Sequence, residues 1–279
     1  MLRDASRSVN LITRQSTIRT TRVLNLKPTM ATSSRTVLIT GGSSGIGRAI
    51  AQKFAQNGDT VTAWGRDPAK LKALDGSVDG RLSARAVDVT RPADIIQAIS
   101  HLLKTRPTID VLVNAAGCTG TISTKTPLIE ATDTWNNLIA TNLTGSFLTT
   151  QSVAPHLAAP GGRVIMIGSQ SAFNGSARPG GIGYAAAKSG LNGLTFALAK
   201  ELAPTGITVN QVVPGFVAHT GITESWTKDM IDSFIQQTPA GRAGTPQDIA
   251  ETVFWLASSE ASFVNAQIIQ VNGGLLPGR

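Results

Sequence analysis

The sequence predicts an α/β domain: a doubly wound, parallel seven-stranded sheet with helices on both faces, preceded by a basic N-terminal extension. Three observations predict it. Apolar runs of strand length alternate with helical patterns along the chain, the arrangement that βαβ units produce. A glycine-rich turn, Thr40-Gly41-Gly42-Ser43-Ser44-Gly45-Ile46-Gly47, joins the first apolar run to the first helical pattern. The length of 279 residues suits one such domain with an extension.

Taken in order, the apolar runs place strands at 36–40, 60–64, 82–87, 111–114, 163–168, 208–213 and 267–271. Helical patterns fall between them at 45–57, 68–74, 92–105, 132–157, 184–202 and 246–258. Pro68, Pro92 and Pro246 stand at helix starts, where a missing N–H is harmless. The segment 218–244 breaks the alternation. Its bulky residues Ile222, Trp226, Met230 and Phe234 recur every four positions, as one helical face would, and it follows the sixth strand's C-terminal edge, where parallel sheets bind ligands. A substrate lid over 218–244 is therefore expected.

Residues 1–34 are set apart by composition. Within the first thirty, Arg3, Arg7, Arg14, Arg19, Arg22 and Lys27 face only Asp4, so +5 of the net +8 lies there. The extension is Ser-, Thr- and Arg-rich. Three readings fit it: a mitochondrial transit peptide, a solvated arm, or an upstream stretch with translation starting at Met30. The expected location is cytoplasmic, or the mitochondrial matrix if 1–30 is a targeting segment. Residues 35–279 form the folded domain. No apolar run reaches the ~20 residues of a membrane span, and aromatic residues, 5% of the chain, are too few for a nucleic-acid stacking surface. The single cysteine, Cys118, excludes an internal disulfide and reads as a small packing residue after the fourth strand. Neither a metal site nor a nucleic-acid or membrane partner is expected.

A glycine-rich turn between strand and helix offers backbone N–H groups and a helix N-terminus to a pyrophosphate. Gly41 suits the tight turn, Gly45 close approach to phosphate, and Gly47 packing of the helix. The same residues satisfy G-x-S-x-G, the nucleophile elbow of hydrolases, around Ser43. That alternative needs a downstream acid and histidine, and His101, His156 and His219 all lie in unpromising settings.

Further along stand Asp88-Val89, Asn114-Ala115-Ala116-Gly117, Thr141-Asn142, the strand-end Ser169, Tyr184-x-x-x-Lys188, Pro214-Gly215 and Val271-Asn272-Gly273-Gly274. With the glycine turn, this ordered set resembles the short-chain dehydrogenase/reductase family over essentially 36–274. The resemblance implies a Rossmann-type fold and hydride transfer between a nicotinamide coenzyme and a carbonyl or alcohol. It implies catalytic roles for Asn142, Ser169, Tyr184 and Lys188. Coenzyme contacts are implied for Gly41, Ser43, Ser44, Gly45, Ile46, Gly47, Arg66, Asp88, Val89, Asn114, Gly117, Tyr184, Lys188, Pro214, Gly215, Val217 and Thr220. Asn114 could equally cap its strand, and Asp88 the helix at Pro92. Thr220 falls one residue beyond the family's usual threonine, where His219 stands instead.

The chemistry asks for an acid that protonates a developing alkoxide, and Tyr184 is the one tyrosine of the chain. Its ordinary pKa near 10 is poorly matched to neutral pH, and Lys188, one helical turn on, can acidify it. Ser169 lies 15 residues before Tyr184, two more than the family spacing. Either the loop 174–183 holds an insertion or Ser171 acts; Ser169 is the first choice. For the coenzyme, Gly65 stands where NAD-preferring relatives carry an acid and Arg66 follows it, which favours the 2′-phosphate of NADP(H). Asp67 could reach the ribose on a one-residue shift or simply cap the helix at Pro68. Ser44 can offer only a neutral hydrogen bond.

The expected activity is NADPH-dependent reduction of a small-molecule ketone. Reduction of 3-oxoacyl groups on a carrier protein is an alternative, although Ala159-Pro160 and Pro204-Thr205 lack the basic residues such a partner would meet. A polyol or sugar dehydrogenase is another, and a catalytically silent nucleotide-binding regulator belongs to a different class. The resemblance also implies a homotetramer, or a homodimer, through the long helices near 132–157 and 184–202.

Overall fold

The computed structural model describes residues 34–176, 179–218, 220, 221, 223 and 226–277. The extension through residue 33, with Met30, lies outside them, as do His219 and Ile222. Seven strands form one parallel sheet: β1 Thr36–Thr40, β2 Thr60–Gly65, β3 Leu82–Ala86, β4 Val111–Asn114, β5 Arg163–Ile167, β6 Thr208–Pro214 and β7 Ile268–Val271. Their order is β3-β2-β1-β4-β5-β6-β7. Each strand expected from sequence is present, with ends moved by one residue at most.

The order runs one way from β1 and the other from β4, so the crevice between these two strands is a topological switch point, where open α/β sheets bind ligands. All five residues of β1 are buried. Successive side chains serve opposite faces: Val37 and Ile39 join the core under helices α1 (Gly45–Gln56) and α9 (Pro246–Leu256), and Leu38 joins the core opposite. A strand buried on both faces reads as an unbroken apolar run, which is why its sequence was legible.

The remaining helices are α2 Pro68–Lys72, α3 Pro92–Leu103, α4 Leu128–Ile139, α5 Gly145–Val153, α6 Ser171–Asn174, α7 Ile182–Leu202 and α8 Lys228–Gln237. Pro68, Pro92 and Pro246 occupy first-turn positions as expected. Asp67 Oδ1 accepts from the N–H groups of Ala69 (2.9 Å) and Lys70 (3.2 Å), so it caps α2. Thr245 and Asp248 close a reciprocal capping box on α9, and Arg242 holds the Asp248 carboxylate at 2.7 Å.

The helix expected over 132–157 is corrected by the structure. It begins at Leu128 and is divided into α4 and α5 by a π-helical turn, Ala140–Thr144, before a 3₁₀ turn at Ala154–His156. Buried Asn142 sits in the widened turn, and its amide donates to Leu138 O at 3.0 Å. Among the described residues no helix is long and apolar enough to cross a membrane.

Candidate active site

A cavity of about 620 Å³ opens at the C-terminal ends of the strands. Of the residues given catalytic or coenzyme roles by the resemblance, all line it except Asn114. Asn114 is 2% exposed and points inward, its Nδ2 donating to Thr150 Oγ1 at 2.9 Å. The reason is strand parity: Asn114 shares a face with Leu112, which belongs to the core on the α5 side. Asn114 therefore supports the cavity floor from behind.

The glycine turn is built by mutual exclusion of side chains. Gly41 has φ +67°, and a Cβ there would meet Ala115 O at 2.7 Å, so β1 and the loop after β4 approach to backbone distance. Thr40 Oγ1 reinforces the approach by accepting from the N–H groups of Ala115 and Ala116, both at 3.1 Å. A Cβ on Gly47 would strike the Gly41 carbonyl, so this glycine lets the first turn of α1 pack closely on the backbone that leaves β1. Ser44, at the N-cap of α1, makes no side-chain cap, and the first turn carries no acid. Uncapped amides and a positive dipole end face the cavity, which fits a pyrophosphate.

At the end of β2, Arg66 and Lys70 are exposed on the cavity rim, and Asp67 is engaged by α2. Burial raises the Asp88 pKa, but hydrogen bonds from the Thr90 N–H (2.9 Å) and hydroxyl (2.8 Å), with Arg66 and Arg91 nearby, leave it below the usual value. Those bonds form a local turn, so Asp88 does not cap α3. Val89 packs on Gly145, where a Cβ would meet Val89 Cγ2 at 2.7 Å.

At the cavity's other end the side chain of Ser169 is hydrogen-bonded to Tyr184. Ser169 Oγ also accepts from the Ser171 N–H at 3.1 Å, so Ser171 lends a backbone donor while Ser169 presents the hydroxyl. Burial raises the Tyr184 phenol above its ordinary value and outweighs the Ser169 hydrogen bond. The acidified phenol expected from the Lys188 neighbour is not what this geometry holds. Lys188 lies 5.8 Å from the Tyr184 ring centroid, donates to Ile167 O at 2.9 Å, and is pushed down to about 8 by its own burial.

Asn142 faces this pair from the π turn. Its Nδ2 donates to Cys118 O (3.0 Å), and its Oδ1 accepts from the Cys118 N–H (3.3 Å). Gly117 makes room for it, since a Cβ there would stand 2.9 Å from Asn142 Oδ1 and 3.6 Å from Lys188 Nζ. Cys118 is partly exposed on the cavity wall, not a core packing residue, because β4 ends at Asn114 and the chain then runs along the crevice.

Pro214 at the end of β6, with Gly215, Val217 and Thr220 after it, runs along the same wall, and Thr220 folds over Gly45. Beyond them Phe216, Trp226 and Phe234 stack with ring centroids 5.0–5.5 Å apart. Spacing identified Trp226 and Phe234; Phe216 and Gln170, also on the wall, carried no signal that sequence reasoning used. Among the described residues no histidine lines the cavity.

Comparison with known proteins agrees with this geometry. Residues 41–276 match the family model described as Enoyl-(Acyl carrier protein) reductase. The chain is 38% identical to the 3-oxoacyl-[acyl-carrier-protein] reductase of Chlamydia pneumoniae, over 86% of this chain and 96% of that one. It is 37% identical to the enzyme of the same name from Escherichia coli, over 85% and 96%. A dehydrogenase/reductase structure from Sinorhizobium meliloti superposes with a TM-score of 0.80 at 33% identity, covering 88% of this chain and 96% of that one. The chain belongs to the short-chain dehydrogenase/reductase family. It is an oxidoreductase of C=O and CH–OH groups whose family uses a nicotinamide coenzyme.

Proposed function

We propose that the enzyme reduces a ketone with NADPH, using Tyr184 as the proton donor. The observation that carries this reading is the cluster of Ser169, Tyr184 and Lys188 at the cavity end, with Tyr184 and Ser169 joined by a hydrogen bond. When bound, NADPH supplies the hydride for the carbonyl carbon. The glycine turn and the first turn of α1 hold its pyrophosphate, and Arg66 with Lys70 favours the 2′-phosphate.

Ser169 donates to the substrate carbonyl and Tyr184 passes its proton to the oxygen as negative charge develops. A phenol raised by burial stays protonated throughout the neutral range, which suits donation. Lys188 and Asn142 stand behind the phenol and lead protons back to it. The segment 218–244 covers the substrate, with the aromatic stack as its inner wall. The names of its relatives make 3-oxoacyl thioesters the first substrates to try.

The test is coenzyme oxidation by the purified protein with NADPH or NADH across ketones, 3-oxoacyl thioesters and polyols. Tyr184→Phe should keep NADPH affinity and lose about 10²–10⁴-fold in kcat. Retained turnover would reject the mechanism.

A further inference from the structure

The strand end Ile167-Gly168-Ser169 is held at three points. Ile167 O accepts from Lys188 Nζ at 2.9 Å, the Gly168 N–H donates to Val212 O on β6 at 2.8 Å, and the Ser169 side chain meets Tyr184. Gly168 has no side chain, and the amide of Gln211 on β6 takes the place of one: a Cβ there would strike Gln211 Nε2 and stand 3.0 Å from its Cδ. Gln211 is fully buried and faces α7, where its partner is Thr195, also fully buried. The Thr195 hydroxyl lies 3.2 Å from Gln211 Oε1, to which it donates, with Leu191 O as a second acceptor at 2.8 Å. Thr195 belongs to the buried stripe of α7 that also holds Lys188, two turns away. The other end of the amide, Nε2, has no partner among the described residues. An unanswered buried donor costs stability, so a position that served only the core would be better filled by an apolar side chain.

From this placement we infer that Gln211 is a positioning residue for the reduction, tying the strand end that carries Ser169 to the helix that carries Tyr184 and Lys188. The inference rests on the ketone-reductase reading. Ser169 and Tyr184 come from different elements and must reach one carbonyl oxygen, so their separation has to be held within a fraction of an ångström. The bond from Lys188 to Ile167 O fixes α7 against β5 at one point, about which the helix could still pivot. The bond between Thr195 and Gln211 supplies a second point on the same stripe, and the amide that makes it also fills the space beneath Gly168. Gln211 does not line the cavity, so it acts through the residues it holds and not on substrate or coenzyme.

The experiment measures kcat, NADPH affinity and Tm for the parent, Gln211→Met, Thr195→Val and the double variant, with acetoacetyl-CoA, ethyl acetoacetate and 2-pentanone as probes. Methionine keeps the length and removes the amide; valine keeps the branching and removes the hydroxyl. Each single variant should lose about tenfold or more in kcat, with NADPH affinity within about twofold. The double variant should lose no more than the larger single loss, because both substitutions cut one tie. Tm of Gln211→Met should be no lower than the parent's, since an unanswered N–H has been removed. Unchanged kcat in either single variant overturns the proposal, and so do losses that multiply in the double variant. A parallel loss of NADPH affinity overturns it by assigning the amide to coenzyme binding, and a collapse of Tm in Gln211→Met by making the amide structural. No NADPH oxidation by the parent with any of the three probes would reject the reductase reading, and the proposal with it. Oxidation by the parent with kcat indifferent to both substitutions rejects the proposal alone.

Discussion

At the scale of single residues, half-buried Tyr184 and buried Lys188 are both held toward their neutral forms. Burial keeps Tyr184 protonated and drives Lys188 toward neutrality. Lys188 falls from 10.5 to about 8, so below pH 8 it is charged in both folded and unfolded chains and the folded state bears the whole cost. At roughly 1.4 kcal/mol per pH unit this amounts to about 3 kcal/mol. Between pH 8 and 10.5 the unfolded chain holds more protons than the folded one, so stability rises with pH and the cost disappears at the top of that window. Lys188→Met should therefore melt higher than the parent at pH 7 while losing turnover, the gain shrinking over that window in calorimetry. A lower melting point at pH 7 would mean that the bond to Ile167 outweighs the burial cost. Arg66 is the opposite kind of residue, exposed and without structural partners among the described residues. Arg66→Ala should weaken NADPH about 10- to 100-fold and NADH little, and equal losses in fluorescence titration would overturn the coenzyme assignment.

At the scale of elements, the site depends on one irregularity, the π turn between α4 and α5, and on the missing side chain of Gly117 beside it. In Gly117→Ala the new methyl would stand 2.9 Å from Asn142 Oδ1, an amide fixed by three backbone partners. We expect kcat to drop about tenfold or more, with Tm lowered by about 5 °C or less; unchanged kcat would mean that Asn142 has no part in turnover. This element was the least legible in the sequence. The sequence pattern over 132–157 reads as one helix, whereas the π turn places Asn142 in tertiary bonds with the Cys118 loop, which no local pattern encodes. The strands were legible because burial on both faces writes them as apolar runs. Asn114 was misplaced although its alternation with Leu112 pointed inward. The positions of Tyr184 and Lys188 followed from helical spacing, but the direction of the phenol's pKa did not, because it is decided by burial.

At the scale of the whole molecule, large apolar side chains remain open on the helices that flank the site. Leu128 and Ile129 on α4 are 81% and 80% exposed, and Phe147 on α5 and Phe196 on α7 are also open. Such a surface marks association. We expect a homotetramer or homodimer by light scattering, and a smaller species for the double variant Phe147→Asp, Phe196→Asp. A parent that runs as a monomer would contradict this.

The cap that Asp67 supplies to α2 reaches beyond local stability. With this carboxylate committed to two amides, the proposed preference for NADPH would rest on the rim side chains Arg66 and Lys70. Preference can then drift over evolutionary time, or be reversed by design at Arg66 and Lys70, while the folding of the chain is left undisturbed.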